Sequence, residues 1–219
     1  MTTPSAVCFA WTRLPARSAT DAPLDTDALP DDVAAALADA LPFLRCGEES
    51  AVHAFGRRLA RRAAHTDRAV LDAITADEAR HARWLEALAA DLPAARTAPA
   101  DDAMQTFFRR LLTRDPALHF ARVAALDLAV CALLRPLVAR DSALAIAPRV
   151  RAGLLAIRSD EARHVRVARD CARAAGLGIA QQRRIDRTLR SDLARLLTPV
   201  RASLERLGIH GLAAAHADA

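Results

Sequence analysis

The residues best suited to chemistry stand in a pentapeptide, Asp-Glu-Ala-Arg-His, that the chain contains twice, at residues 77–81 and 160–164. In each copy a glutamate precedes a histidine by three residues. On a helix this spacing places the carboxylate and the imidazole on one face, one above the other. A metal ion can use such a pair as two ligands, so each copy is a candidate half of a metal site.

Both pairs continue the apolar stripe of their helix. Glu78 and His81 fill a gap in a stripe formed by Val70, Ile74, Leu85 and Leu88. Glu161 and His164 extend a stripe formed by Val150, Leu154, Ile157 and Ala168. A carboxylate turned into a core costs several kcal/mol unless it is paired or binds an ion. A single Glu-x-x-His pair would favour a solvated or salt-bridged helix face. Two pairs that both lie on buried stripes predict one shared cation site.

The composition is that of one all-α domain. The 219 residues are 53% hydrophobic, and the apolar positions follow helical rather than alternating spacing. The chain has no lysine, and arginines among acidic neighbours carry its formal net charge of +5. With two tryptophans and six phenylalanines available for base stacking, a solvated surface is favoured over a nucleic-acid interface.

Cysteine spacing and the N-terminus indicate a cytoplasmic protein. The four cysteines include no Cys-x-x-Cys pair, which excludes a rubredoxin-type iron site or a zinc ribbon: Cys8, Cys46, Cys131 and Cys171. Buried, reduced thiols are therefore expected. The N-terminus lacks the basic start and the apolar run of a signal peptide, and we expect no apolar stretch long enough to span a membrane.

Prolines, glycines and capping residues divide the chain. We predict an irregular extension at 1–30, a helical body at 31–208 and a frayed tail at 209–219. Within the body a short helix, a link with a helical turn and a last helix are predicted at residues 33–41, 93–112 and 179–207. The four long helices are predicted at 42–64, from the Thr66-Asp67 cap to about Asp91, at 116–138 and from Pro148 to Gly176.

Two of the long helices each supply one further inward acid. Glu48 falls in the apolar stripe of its helix, and its neighbour Glu49 is the alternative; the stripe consists of Leu41, Leu44, Val52, Phe55 and Leu59. Asp127 is the only carboxylate of the apolar helix at 116–138 and needs a partner there, with His119 as the alternative on that helix. Four carboxylates and two histidines from four helices match the donor set of dinuclear carboxylate sites in four-helix bundles.

These motifs resemble those of the ferritin-like di-iron carboxylate superfamily, over residues 40–175. Gly47-Glu48, followed by Ala51 and Phe55, is similar to the first ligand helix of rubrerythrins and of cyanobacterial aldehyde-deformylating oxygenases. The Asp-Glu-x-Arg-His form is similar to the ligand helices of the bacterial multicomponent monooxygenases, whose hydroxylase subunits are far longer. The resemblance implies a ferritin-like four-helix bundle with one long crossover and with extra N- and C-terminal helices.

The resemblance also implies residue roles. Its metal ligands would be Glu48, Glu78, His81, Asp127, Glu161 and His164, with Glu48, Glu78 and Glu161 as the catalytic carboxylates. Asp77 would accept a hydrogen bond from His164, and Asp160 one from His81. Arg80 and Arg163 would pair with these aspartates, although ordinary surface arginines are the alternative. Asp127 departs from the family, which mostly has glutamate there, and the absence of tyrosine excludes a tyrosyl radical on this chain.

By this resemblance the protein would be a non-haem di-iron, O₂-dependent oxidoreductase. Two Fe ions, or an Mn/Fe pair, would activate O₂ to oxidise a small-molecule substrate in an apolar pocket lined by Val52, Phe55, Leu126, Val130 and Ile157. Electrons would come from an external donor, a ferredoxin or a flavin reductase. A homodimer through an outer helix is a further expectation, without membrane or nucleic-acid partners.

Three alternatives stay open at this point. One is a rubrerythrin- or ferritin-like ferroxidase or peroxidase without an organic substrate. Another is a metal-free bundle whose acids and histidines satisfy each other. A third is a tRNA-modifying hydroxylase of the same superfamily, which the sequence pI near 10 permits.

Overall fold

The computed structural model describes residues 24–56 and 68–210, and over these ranges the protein is all-α, as predicted. Two 3-10 turns, Thr26–Ala28 and Thr198–Val200, accompany the helices. The described ranges contain seven α-helices and no strand: α1 (Asp31–Phe55), α2 (Arg68–Ala90), α3 (Asp101–Leu111), α4 (Pro116–Leu137), α5 (Pro148–Ala174), α6 (Ile179–Leu196) and α7 (Arg201–Arg206).

The four longest helices form a bundle of two pairs. Helix α1 packs along α2, α4 packs along α5, and the pairs meet through α2 and α5. Partners run in opposite directions: Arg45 of α1 contacts Glu86 of α2, and Glu48, further along α1, contacts the earlier residue His81. Along the chain, the link after α2 and helix α3 connect the first helix pair to the second, where the sequence predicts a crossover.

Apolar side chains hold the bundle together in two clusters. The larger one contains residues of all seven helices, and in it the rings of Phe43 and Phe108 stack at 5.6 Å. The smaller one contains Phe55, Leu71 and Phe120, each at most 1% exposed. Each fully buried side chain of this size stabilises the fold by about 1.5–3 kcal/mol. Tertiary packing therefore stabilises helices whose outer faces are rich in arginine.

The first long helix differs from the prediction. The sequence predicts a break at Pro42, whereas α1 runs through Pro42 to Phe55, and residues 57–64 lie outside the described ranges. An interior proline removes a helical hydrogen bond and costs about 3 kcal/mol. Leu41 and Phe43, on either side, are each 2% exposed, so their burial offsets that cost.

Other details follow the backbone chemistry of proline and glycine. The predicted helix at 179–207 is broken, because Pro199 lies in the 3-10 turn between α6 and α7 and cannot continue α6. The predicted end of α5 is confirmed: Gly176 has φ 93°, and the Leu177 N–H donates to the Ala172 carbonyl. Val70, placed on the inward stripe by the sequence, is 37% exposed, and Leu71 is buried instead.

Two expectations about α4 and the cysteines are wrong. Helix α4 is long and apolar enough to cross a membrane, but 72% of its apolar window is buried inside the protein, as in the core helix of a soluble protein. Cys46 is disulfide-bonded rather than reduced, whereas Cys131 and Cys171 are free. Cys46 is buried, at 1% exposure, and the spacing of the cysteines in the sequence does not reveal that its sulfur forms a disulfide. The predicted extension and tail lie largely outside the described ranges, at 1–23 and 211–219.

One buried acid, Asp39 of α1, fixes the link that follows α2. Its carboxylate accepts hydrogen bonds from the N–H groups of Arg96 (2.7 Å) and Thr97 (3.0 Å). It also accepts them from the hydroxyls of Thr97 (3.0 Å) and Ser203 (2.7 Å). Burial raises the pKa of this carboxyl, but the four hydrogen bonds outweigh burial and hold the pKa below its usual value. Asp39 thus joins α1, the link and α7.

We expect Asp39→Asn to lower the free energy of unfolding by about 1–3 kcal/mol at neutral pH, because a neutral amide is a weaker acceptor than a carboxylate. A lowered pKa in the folded state makes this contribution complete above the unfolded-state pKa, and it is lost as pH falls through the folded-state value. The difference between wild type and variant should therefore shrink below about pH 4, measured by urea unfolding across pH. A difference that does not change with pH would contradict this role.

Helices α2 and α5 approach closely at Gly153. A Cβ added there would lie 2.0 Å from Cζ2 of Trp84, an overlap that requires the indole to move. Gly47, inside α1, is the natural comparison, because a Cβ there would meet only the ring of Phe108, at 3.6 Å. The absence of a side chain at Gly153 is therefore a condition for the packing of Trp84.

We expect Gly153→Ala to lower the free energy of unfolding by about 1–3 kcal/mol, the usual cost of overpacking. Gly47→Ala is the control and should be neutral or stabilising by about 0.5–1 kcal/mol, because alanine favours a helix interior. Chemical unfolding of both variants measures the difference. Equal stability of the two variants would show that Trp84 moves freely and that the close approach imposes no constraint.

Candidate metal centre

The six side chains predicted as ligands meet in one buried group, called here the acid–histidine cluster. Helix α1 supplies one of them, α2 two, α4 one and α5 two. Each is at most 5% exposed: Glu48, Glu78, His81, Asp127, Glu161 and His164. The helices place them there because each lies at a core position of its helix, flanked by apolar residues one turn away.

The cluster contains two sets of donor atoms that share one residue. Atoms of Glu48, Glu78, His81 and Glu161 lie within 4.8 Å of one another, and so do atoms of Asp127, Glu161 and His164. Glu78 links the sets as well, since its Oε1 is 2.9 Å from Nδ1 of His164. Either set has the residue types and the spacing to hold a metal ion.

The His81 ring is oriented by carboxylates at both nitrogens. Its Nδ1 faces the cluster, 3.2 Å from Glu48 Oε2 and 3.7 Å from Glu78 Oε2. Its Nε2 faces outward, 3.1 Å from Asp160 Oδ2. When Nε2–H donates to Asp160, the lone pair of Nδ1 points into the cluster, which is the arrangement of a ligating histidine.

His164 has the equivalent arrangement in the other copy of the pentapeptide. Its Nδ1 faces Glu78 Oε1 and Glu161 Oε1, at 2.9 and 3.8 Å, and its Nε2 is 3.4 Å from Asp77 Oδ2. The two imidazoles lie with ring centroids 6.1 Å apart. The first position of each pentapeptide thus contacts the histidine of the other copy, as the family resemblance implies.

Two arginines connect the two aspartates on the outer side. Arg80 donates to Asp77 Oδ1 and to Asp160 Oδ2, both at 2.7 Å. Arg163 pairs with Asp77 and, at 3.2 Å, with Asp160 Oδ1. Burial raises the pKa of Asp160, but His81 and the two arginines outweigh it and hold the pKa below its usual value. Asp160 is therefore a charged acceptor for His81.

The carboxylates of the cluster oppose one another electrostatically. Burial and the charge of Glu78 raise the pKa of Glu48 well above its usual range, and burial and the charge of Glu161 do the same for Asp127. Burial and the charge of Glu78 raise the pKa of Glu161 to about 7. For Glu78 burial acts in the same direction, but the adjacent imidazoles of His164 and His81 outweigh it, and the pKa falls to about 2. Without a cation, the cluster does not keep all four carboxylates ionised at neutral pH.

Several buried atoms of the cluster lack a hydrogen-bond partner. They include both carboxylate oxygens of Glu78, Oδ2 of Asp127 and Nδ1 of His164. Glu78 Oε1 and His164 Nδ1 are close, at 2.9 Å, but the contact does not have the geometry of a hydrogen bond. Each unsatisfied buried group costs about 1–3 kcal/mol. Lone pairs that converge without pairing fit a metal ion, which would satisfy them together.

The alternative ligands lie outside both donor sets. Glu49 is 3% exposed but does not join Glu48 there. His119 is fully buried against the ring of Phe120, and burial lowers its pKa to about 4, so it is a neutral imidazole. Neither is therefore placed to share a metal with the other acids.

The residues predicted to line an apolar pocket are divided between the two core clusters. Leu126, Val130 and Ile157 belong to the larger cluster and Phe55 to the smaller, 6.1 Å from the His164 ring, whereas Val52 is half-buried. Sequence reasoning missed the contact between the Cys131 thiol and the carbonyl of Arg158, at 3.7 Å. Its only sequence signal is that Cys131 follows Asp127 by one helical turn.

We expect Asp160→Asn to weaken metal binding by about 10–100-fold, because asparagine is a weaker acceptor for the Nε2–H of His81 and no longer fixes its ring. Asp170→Asn is a matched control, since Asp170 also lies on α5 and pairs with an arginine three residues later, but is exposed. Titration of each apo-protein with Mn²⁺, followed calorimetrically, measures the affinities. Equal affinities in the two variants would contradict an orienting role for Asp160.

Comparisons with protein-family models, with curated proteins and with solved structures found no match for this chain. The resemblance to the di-iron carboxylate superfamily therefore rests on the motifs of this chain alone. The molecule itself has an all-α fold with a buried acid–histidine cluster that is compatible with a di-iron site.

Proposed function

We propose that this protein is a dinuclear carboxylate enzyme of the ferritin-like type, an oxidase or oxygenase that uses two Fe ions, or an Mn/Fe pair, and O₂ to oxidise a small organic molecule. The observation that carries the proposal is Glu161, which belongs to both sets of donor atoms. A carboxylate shared by two adjacent donor sets is suited to bridge two ions. Glu78, which faces both histidines, is suited to a second bridge.

The donor chemistry supports Fe or Mn. Carboxylate oxygens with a minority of imidazoles suit hard-to-borderline divalent ions, and thiolate ligands, which favour softer ions, are absent from both sets. The four carboxylates of the cluster would balance the charge of two divalent ions. Such a pair, when bound and reduced, would supply the electrons for O₂ activation.

The surrounding residues have positioning roles in this proposal. Asp160 contacts Nε2 of His81 and Asp77 contacts Nε2 of His164, so that both Nδ1 atoms face the cluster and would be available to hold the metals. Arg80 and Arg163 pair with these aspartates and cover the outer side of the histidines. The chain has no Cys-x-x-Cys iron module, so electrons for repeated turnover would come from a separate ferredoxin or flavin reductase.

The unsatisfied atoms of the cluster favour a metal site over a metal-free bundle. In a metal-free bundle the acids and histidines would satisfy one another, whereas both oxygens of Glu78 and Nδ1 of His164 have no hydrogen-bond partner. An occupied metal site explains why the chain keeps so many acids in its core.

The test is metal content and reaction with O₂. Protein loaded anaerobically with Fe²⁺ should hold about two Fe per chain, since the cluster has two donor sets, and its Mössbauer spectrum should change on mixing with O₂. Glu161→Ala should lose most of the iron, because both sets lose a ligand, whereas Glu205→Ala, on the exposed face of α7, should bind as wild type does.

The outcomes separate the candidate activities. O₂ uptake that stops after one oxidation of the bound iron, and resumes with a reductant and an organic substrate, supports the oxygenase. Continued oxidation of added Fe²⁺ beyond the bound pair would indicate a ferroxidase instead. Absence of bound metal, together with unchanged or increased stability of Glu161→Ala, would show that the cluster is structural.

A further inference from the structure

A cavity lies outside the acid–histidine cluster, on the outer side of α4. It has a volume of about 540 Å³ and is lined by residues of α4, α5 and α6 and by those after α7. Part of its wall is apolar, with Leu128, Leu133, Leu193 and Ile209. None of the six residues of the acid–histidine cluster lines it.

Three arginines face this cavity without acidic partners. Arg135, Arg158 and Arg190 line it, and none of them forms an ion pair within the part of the chain that the structure describes. Asp186 is the one acid of the lining, and it is already engaged: it accepts from Gln182 at 2.8 Å and pairs with Arg169 at 3.0 Å. The positive charges around the cavity are therefore not neutralised by its own walls.

Arg158 shows the strongest sign of a missing partner. Its Nε is buried without a hydrogen-bond acceptor, which costs about 1–3 kcal/mol. The adjacent wall is fixed, because the Cys131 thiol donates to the carbonyl of the same residue. A guanidinium binds carboxylates and phosphates with two parallel hydrogen bonds, so an anionic head group is the partner that its chemistry fits.

We propose that this cavity binds a small amphiphilic anion, with a carboxylate or phosphate head held by the three arginines and an apolar body against Leu128, Leu133 and Leu193. The exposed His210 adds a polar group at the rim. Cys131 lies one helical turn beyond Asp127, and Arg158 lies three residues before Glu161, so the anion would occupy the back of the two helices that carry these cluster residues. The binding itself does not depend on a metal in the cluster.

Calorimetric titration of the full-length chain with octanoate tests the proposal. We expect saturable binding of octanoate and weaker binding of both 1-octanol, which lacks the charge, and inorganic phosphate, which lacks the apolar body. Arg190→Gln should weaken octanoate binding roughly tenfold, the usual effect of losing one charge-assisted contact. Arg187→Gln is the matched control: it is exposed on the same helix, does not line the cavity and should bind as wild type does.

A parallel titration with octyl phosphate distinguishes the two head groups. Tighter binding of octyl phosphate than of octanoate would identify the natural head group as a phosphate, and the reverse would identify it as a carboxylate. Equal binding of 1-octanol and octanoate would overturn the role of the arginines. Absence of binding by octanoate and octyl phosphate, or an equal effect of Arg190→Gln and Arg187→Gln, would overturn the site itself. Because the titrations use protein without added metal, they are independent of the outcome for the metal centre.

Discussion

Electrostatic repulsion among four buried carboxylates is the constraint on which the rest of this structure depends. Each of the four longest helices brings one of them to the centre, and burial and neighbouring carboxylates raise the pKa values of Glu48, Asp127 and Glu161. Such a group lowers the stability of a core, so the apolar clusters on either side must supply the stability that it removes. Such a loss of stability is typical of functional sites, and the proposed metal site would account for it here.

Each copy of the pentapeptide orients the imidazole of the other copy. A single Glu-x-x-His pair on one helix fixes the spacing of two ligands but leaves the imidazole free to rotate. Here Asp160 of α5 contacts His81 of α2, and Asp77 of α2 contacts His164 of α5. The arginines at the fourth position of each copy then join both aspartates on the outside. Every position of the motif except its alanine thus contacts a residue of the other helix.

The sequence predicted what depends on local spacing and missed what depends on distant packing. Helical periodicity identified the inward positions of Glu78, His81, Glu161 and His164, and the absence of other acids in α4 identified Asp127. At Pro42 the sequence predicted a break, but the helix continues, because burial of the neighbours of Pro42 offsets the lost hydrogen bond; at Pro199 the sequence predicted a continuous helix, but the helix is broken. The spacing of the cysteines did not reveal the disulfide at Cys46, and the Asp39 contacts could not be predicted, since they join segments far apart in the sequence.

The reciprocal contacts between the pentapeptides also bear on the order of folding. The histidine–aspartate pairs join residues 79 and 87 positions apart, and the helix pairs that carry them are connected through the long link and α3. Each helix pair consists mainly of contacts between neighbours in the sequence and can form first, whereas loop closure delays the distant contacts. The acid–histidine cluster is therefore complete only after the two helix pairs have docked. Separation of α2 from α5 would break the contacts of both histidines at once.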